Sequence, residues 1–482
     1  MTAASKFERA TPESQGVDSA AINALVEAAN QYAFHSLMVV RHGKVIAEGW
    51  WSPYTADEPH MMFSVSKSVT ATAIGMLVAE GRASLDEEIT AVFPNIASDE
   101  DKRNMQGVKV RHLLAMATGH AVDTMEIMRA LPREDWVKIF FGIPIEYPPN
   151  THFLYNSGAS YVLAAMITAR TGMSVKEYLE PRLFQPLGIT NAPWEKNPRG
   201  INFGASGLRL TTEDLAKFGQ LYLNEGVWGG KRILTEAWVA EATAKQVSNG
   251  TDPTHDWSQG YGFQIWRSRH NSYRMDGRYG QFALVLPEQD MVIAITAGVT
   301  NNRVVPDFIY EHLLPGVKVG PLPENATAQA RLKDALASQM VALPAFLPTD
   351  PSLATQVNGR KITLSYNLIG ASAVTLSFSA NSIDMNVERR DGGAELLPAG
   401  RTAWLPGLTH MWPHEEMQQA RLESRAGWTD ARTLEIRQQC IETPFSRNWK
   451  LEFDGPDKVT VSVGLDNGFW VERTEVLAGE LS

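Results

Sequence analysis

Met62-Phe63-Ser64-Val65-Ser66-Lys67-Ser68 opens an apolar stretch that runs on to Glu80. Val65, Val69, Ala73, Met76 and Leu77 recur at helical spacing, and Gly81 stands where a C-cap belongs. The pattern predicts a helix from Phe63 to Glu80. Residues three apart share a helical face, so Ser64 and Lys67 can meet at its head. A hydroxyl is a weak nucleophile until a base takes its proton. Lysine is such a base only when desolvation or nearby cations pull its pKa down from about 10.4. A helix start set in a cleft supplies the desolvation, together with free N–H groups for an oxyanion. On their own, the same two residues also read as a capping serine and a surface lysine.

The flanking sequence splits into two textures. Before residue 315, Asp18 or Ser19 caps a helix to about Tyr32, and Leu37–Val40 and Val45–Ala47 form a hairpin about His42-Gly43. Helices are expected near Val110–Ala117, Gly158–Arg170, Ser174–Leu183 and from Thr211 to Leu223. A second hairpin joins Phe282–Leu286 to Met291–Ala297. If the hairpins at the two ends share one sheet, the helical middle forms a second lobe. Residues 316–347 read as a Pro/Gly-rich linker with a short helix, about Ala326–Val341. From residue 348 to 482, short strands (Lys361–Tyr366, Val374–Phe378, Ser382–Glu388, Thr433–Gln438, Trp449–Phe453, Val459–Val463) alternate with turns such as Asp391-Gly392-Gly393. That pattern implies an antiparallel barrel or sandwich. The expected fold class is α+β: an antiparallel sheet with helices and a helical lobe over 1–315, then an antiparallel β domain.

Composition narrows the function. The 482 residues hold 44 Lys+Arg against 54 Asp+Glu, a net charge of −10, with 44% hydrophobic and 20% charged residues. An acidic chain without a basic run has no footprint for a nucleic-acid backbone. The single cysteine, Cys440, rules out an internal disulfide framework and a cysteine-based zinc cluster. No stretch reaches the ~18 consecutive apolar residues of a membrane span. The polar start, Met1 to Gly16, has no apolar leader core, so the chain reads as cytoplasmic or as already trimmed of a leader. No Gly-x-Ser-x-Gly elbow, His-Glu-x-x-His or phosphate loop occurs; His414-Glu415 lacks the second histidine. Asn325-Ala326-Thr327 is a formal glycosylation sequon only.

Two further elements carry chemistry. Tyr155-Asn156-Ser157 follows the stiff Tyr147-Pro148-Pro149-Asn150 loop and precedes a helix, a suitable place to present polar side chains. A tyrosine beside an ammonium can relay protons, although a packed tyrosine reads equally well there. Asp276-Gly277-Arg278-Tyr279-Gly280-Gln281 leads into a strand, and its glycines permit close backbone approach, to a ligand or in a simple bend.

In order and spacing, Ser64-x-x-Lys67, Tyr155-x-Ser157 and Arg278-Tyr279-Gly280 resemble the three elements of the serine β-lactamase and penicillin-binding-protein superfamily. The likeness is to its branch of class C β-lactamases, D-aminopeptidases, DD-peptidases and esterases. It extends from about Pro12 to Gly298 through Leu85-Asp86, Val110-Arg111-His112-Leu113-Leu114, Thr118-Gly119, Leu187-Gly188-Ile189, Ala205-Ser206-Gly207-Leu208 and Tyr261-Gly262. It implies Ser64 as acylating nucleophile, Lys67 and Tyr155 as proton partners, Ser157 in the closing position, and an oxyanion hole of the Ser64 and Gln281 N–H groups. The third element usually reads Lys or His, a small residue, then Gly. Here Arg278 suits a carboxylate rather than proton donation, and Tyr279 is expected to narrow the cleft beside Gly280.

His120, after Thr118-Gly119, is a candidate to line the cleft, whereas His35, His112 and His410 read as structural or surface residues. Trp404, Trp412, Trp428, Trp449 and Trp470 read as core of the β domain. The implied reaction is two-step acyl transfer with no metal or organic cofactor. A C-terminal domain similar to a lipocalin accompanies some peptidases of the superfamily, which favours amide bonds of small or non-standard peptides, D-residue-containing ones included. Carboxylesterase, β-lactamase or DD-peptidase, and non-catalytic binding module are the alternatives. The expected partner is a small-molecule or short-peptide substrate, with no nucleic acid and no membrane, and homo-oligomerisation stays open.

Overall fold

The computed structural model describes residues 6–367, 369–411, 419–466 and 473–481. Trp412, His414, Glu415 and Trp470, singled out above, lie outside the described residues. The chain divides into two compact units, Met1–Gly49 with Met61–Ser338, and Trp50–His60 with Gln339–Ser482.

The first unit is built on a seven-stranded sheet. Its strand order is Glu8–Arg9, Lys44–Trp50, Phe34–Arg41, Met291–Ala297, Gln281–Leu286, Tyr273–Gly277 and Trp266–Arg267. The two expected hairpins do share this sheet: Phe34–Arg41 runs antiparallel to Met291–Ala297, with Val39 opposite Ile293. Every residue of the three central strands is buried, so they read as continuous apolar runs instead of alternating ones. His42 and Gly43 both take positive φ, 49° and 69°, as a tight two-residue hairpin turn requires. Helix Thr212–Leu223, started by the Thr211 side chain on the Asp214 N–H (3.2 Å), packs on the central strands. Gly219 permits the approach, because a Cβ there would lie 2.7 Å from Val292 Cγ1.

Between the two ends of the sheet lies the helical part. Helix Val65–Ala79 packs on helix Ser157–Thr171 and on strand Tyr273–Gly277. Its length follows the sequence reading, with Gly81 at φ 68° just past the end. Gly75 is required where the Trp238 ring lies against the helix. Helix Ala326–Ala337, placed in a linker by sequence, packs on helix Ser19–Ala29 inside this unit.

The second unit is a ten-stranded sheet. Its order is Ala394–Gly400, Ser382–Arg389, Ala371–Phe378, Lys361–Leu364, Arg473–Leu481, Lys458–Asp466, Ser446–Phe453, Thr433–Cys440, Ala420–Trp428 and Leu405–Thr409. A parallel bridge from Gly400 to Arg425 nearly closes it into a barrel. Ile383, Met385, Val387, Leu422, Leu434, Ile436, Trp449, Leu451 and Val461 fill the interior, each burying apolar side chain worth about 1.5–3 kcal/mol. Trp428 and Trp449 are core residues, as expected, whereas Trp404 is only half-buried, and Cys440 is a buried thiol. Segment Trp50–His60 belongs to this unit through Tyr54, whose hydroxyl donates to the Thr443 carbonyl (2.8 Å) and accepts from Gln439 (2.6 Å).

Candidate active site

Phe63, just before the helix, takes a left-handed φ of 45°, a conformation costing a non-glycine residue about 1–3 kcal/mol. Ser64 is the N-cap, yet its side chain makes no capping hydrogen bond. Its hydroxyl instead accepts from Lys67 Nζ at 3.0 Å. Lys67 is only 2% exposed, donates also to the Ala205 carbonyl (3.0 Å), and lies 4.8 Å from the centre of the Tyr155 ring. The capping serine and surface lysine of the bland alternative are therefore not what the fold makes of these residues. Burial draws the Lys67 ammonium down to about 7; Asp123 opposes the shift and Arg129 adds to it. Near neutral pH a large fraction of such an amine is free to accept a proton.

Tyr155 is half-buried, with its ring beside Lys67 Nζ and thus beside Ser64. Burial holds its hydroxyl above the ordinary phenol range, with Asp276 and Asp123 adding to the effect and Ser64 and Arg274 opposing it. The segment that presents it is fixed residue by residue. Leu154 N–H donates to the Met116 carbonyl (2.9 Å), and Asn156 is wholly buried. Asn156 Oδ1 accepts from the Gly158 and Ala159 N–H groups (3.0 and 3.3 Å) and from Thr124 Oγ (2.8 Å), so it caps helix Ser157–Thr171. Ser157 is half-buried in the first turn, its N–H on Asp123 Oδ1 at 2.9 Å.

The third element sits at a strand end. A Cβ on Gly277 would collide with the Met62 carbonyl, so strand Tyr273–Gly277 ends against the segment that leads into Ser64. Arg278 is exposed, its guanidinium 5.0 Å from the Tyr279 ring centre. Tyr279, at φ 66°, is 5% exposed and packs edge-on to Phe63 at 5.4 Å. Gly280, at φ 87°, faces Val299, where a Cβ would meet Cγ2 at 2.7 Å. Gln281 starts the next strand; its side chain is buried and donates to the Ala297 and Arg278 carbonyls (2.7 and 3.1 Å).

His120 is fully buried, with Nδ1 2.8 Å from Thr118 Oγ and its ring 4.7 Å from Phe140. Burial lowers it to about 4, so it is neutral at physiological pH. His35 lies buried in strand Phe34–Arg41. His112 accepts the Lys109 N–H, and His410 stands beside Glu395 in the second unit.

Sequence reasoning missed Gln264. At φ 57° it donates to the Leu113 and Leu114 carbonyls (3.0 and 2.9 Å), accepts from Ser160 (2.6 Å), and gives its own carbonyl to Ser68. It thereby ties the helix that carries Lys67 to the helix that follows Tyr155. It also missed Trp266, stacked on Tyr155 at 5.4 Å and 22°, and Asp123. No local pattern marks these residues; only Tyr261-Gly262, three positions earlier, pointed to the neighbourhood. Among the described residues, no group of three His, Cys, Asp or Glu side chains is placed to hold a metal ion. No described helix is long and apolar enough to cross a membrane.

A sheet antiparallel except at its Glu8–Arg9 edge, a helix headed by Ser-x-x-Lys and a buried amine on the serine hydroxyl define a serine hydrolase of the β-lactamase type. The family model described as Beta-lactamase matches residues 21–310, and the chain belongs to that family. A 6-aminohexanoate-dimer hydrolase of Paenarthrobacter ureafaciens is 25% identical over 54% of this chain and 71% of its own. Penicillin-binding protein 4 of Amycolatopsis lactamdurans is 27% identical over 58% of this chain and 82% of its own. The octameric penicillin-binding protein homologue of Pyrococcus abyssi is 16% identical, with a TM-score of 0.50 over 95% of this chain and 99% of that one, a likeness of fold.

Proposed function

We propose that the protein hydrolyses the amide bond of a small or non-standard peptide, D-residue-containing ones included, through an acyl-enzyme on Ser64. The observation that carries this reading is the 3.0 Å contact of Lys67 Nζ with Ser64 Oγ, made by an amine that burial has brought to about 7. Ser64 Oγ attacks the carbonyl carbon as Lys67 takes its proton. The N–H groups of Ser64 and Gln281 receive the oxyanion. Tyr155, kept protonated by its surroundings, passes a proton to the leaving amine as the C–N bond breaks. Water then attacks the ester, its proton returns through the same pair, and Ser64 is released. Arg278 faces solvent and suits a substrate carboxylate, which it can hold with two parallel hydrogen bonds. A relative named as a 6-aminohexanoate-dimer hydrolase supports an amide over an ester.

The test is intact-mass spectrometry of wild type and Ser64→Ala after exposure to a fluorophosphonate, a penicillin, and panels of D- and L-aminoacyl amides and p-nitrophenyl esters. An adduct on wild type alone, with amides turned over, is the expected result. Turnover of esters alone would replace peptidase by carboxylesterase. A folded wild type with neither adduct nor turnover would make this a binding module on the same scaffold.

A further inference from the structure

Behind Tyr155 the first unit buries an ion pair that the proposed chemistry does not use. Arg274 is 0% exposed, and its Nε lies 3.1 Å from Asp276 Oδ2. The two side chains share a face of strand Tyr273–Gly277, being two residues apart. The guanidinium carbon is 4.2 Å from the Trp257 ring centre and 5.5 Å from that of Trp266. Its Nη1 donates to the Arg267 and Asp256 carbonyls (3.2 and 3.3 Å) and to Ser268 Oγ. Asp276 Oδ1 accepts from Asn302 Nδ2 at 3.1 Å, and the same amide reaches the Gly277 carbonyl at 3.0 Å. From Arg274 the packing continues through Trp266 to Tyr155, and from the Tyr155 ring to Lys67 Nζ, 4.8 Å from its centre and 3.0 Å from Ser64 Oγ.

Removing two charges from water is expensive, and an apolar pair of equal volume often serves stability as well or better. A buried pair of this kind is better understood by what it holds still. Trp266 needs holding. It sits in a terminal strand of two residues, Trp266–Arg267, whose ladder is two pairs, Trp266 with Arg274 and Arg267 with Tyr273, with a single bridge from Trp266 to Tyr261 on the other side. So short an edge strand has few ladder hydrogen bonds to fix its side chains. The cation packed on the Trp266 ring supplies what the ladder lacks.

We propose that Arg274, paired with Asp276 and packed on Trp257 and Trp266, is a positioning residue that sets the Tyr155 ring against Ser64. The proposal rests on the acyl-enzyme reading, because its consequence is a rate. It acts on proton transfer and leaves ground-state binding alone, so its signature is a loss in kcat with KM kept.

The experiment uses the full chain and compares Arg274→Met, Trp266→Ala and Trp266→Phe, each alone and combined with Tyr155→Phe. Misplacing a catalytic group by about 1 Å costs on the order of 100-fold. Arg274→Met and Trp266→Ala are expected to lower kcat about 10–100-fold with KM within about twofold, on the same basis. Trp266→Phe, which keeps a flat ring, is expected to retain most of the rate. In the Tyr155→Phe background the same changes should have little further effect. Equal losses in both backgrounds, or an unchanged kcat in folded Arg274→Met, would overturn the proposal. If Arg274→Met does not fold, the Trp266→Ala and Trp266→Phe pair carries the test.

A second readout needs no turnover. The ¹⁹F resonance of 3-fluorotyrosine placed at position 155 should move or broaden in Arg274→Met and Trp266→Ala and stay in Trp266→Phe. An unmoved resonance in all three overturns the bracing. A moved resonance with no adduct on wild-type Ser64 supports the bracing and removes the acyl-enzyme reading instead.

Discussion

The two units differ in backbone strain, yet each buries a cation on neutral acceptors. Among the described residues, every non-glycine residue with positive φ lies in the first unit, and Phe63, Met116, Gln264 and Tyr279 frame Ser64, Lys67 and Tyr155. The amine of Lys67 is buried there with no carboxylate in direct contact, only a hydroxyl and a carbonyl. In the second unit the buried guanidinium of Arg447 likewise rests on neutral oxygens. Arg447 donates to Gln438 Oε1 and the Met411 carbonyl (2.7 and 2.9 Å), and Trp449 Nε1 meets the same Gln438 oxygen at 3.0 Å. Glu395 accepts from Thr409, the His410 N–H and Arg389 (2.6, 2.8 and 3.0 Å). Left-handed non-glycine backbone gathers around the proposed site in the first unit, whereas the buried cation of the second unit stands in a barrel core. Every residue of the proposed site lies in the first unit.

The largest effect should come from Ser64→Ala. Loss of the nucleophile is expected to lower kcat by on the order of 10³–10⁶-fold, while the melting temperature stays within about 2 °C, since no capping bond is lost. Rate assays beside calorimetry check both, and a serine mutant with wild-type turnover would undo the assignment altogether.

Next is Lys67. As a base it works when neutral, so kcat/KM should rise with pH through about 7 and level off above it. Lys67→Met is expected to lose about 10²–10⁴-fold and, with it, that acid limb. A limb that persists in Lys67→Met belongs to another group. The same variant should melt higher at pH 5–6, where the native protein buries an ammonium.

Trp449→Ala probes the other side of the comparison. Emptying a buried tryptophan site and removing one of the two donors to Gln438 Oε1 is expected to cost about 3–5 kcal/mol in denaturant unfolding. Adduct formation per folded molecule should stay near wild type, because every residue of the proposed site lies in the first unit. A parallel loss of adduct would show that the units do not divide the work.

The smallest effect is at the hairpin turn. His42 is held at φ 49°, where asparagine is better tolerated. His42→Asn is expected to add about 0.5 kcal/mol of stability and leave kcat unchanged. A destabilised variant would mean that the exposed contact from His42 to Gln15 (3.1 Å) outweighs the strain.

What was legible in the sequence was local. The helix from Val65 to Ala79, its serine and lysine on one face, and the two hairpins all follow from spacing of 3.6 or 2 residues and from turn chemistry. Six strands of the barrel were legible for the same reason. Ala420–Trp428 was not, because its inward positions include Ala420, Ser424 and Ala426, too small or polar to mark a buried face. Leu405–Thr409 and Ala394–Gly400 carry Pro406, Gly407, Pro398 and Gly400, which read as turns. The segment Trp50–His60 precedes the nucleophile helix in the chain, yet Tyr54 gives it to the second unit through Thr443 and Gln439, nearly four hundred positions away.

At the site the division is the same. The sequence brings forward Ser64, Lys67 and Tyr155 through the order and spacing of its three elements, which resemble those of the superfamily, since each motif by itself also fits a structural role. Tertiary structure alone decides that Lys67 is buried and its ammonium drawn down to about 7, that Gln264 joins the helix carrying Lys67 to the helix that follows Tyr155, and that Trp266 lies on the Tyr155 ring. Desolvation and stacking depend on what the rest of the chain brings to a point in space, and no short stretch of sequence contains that.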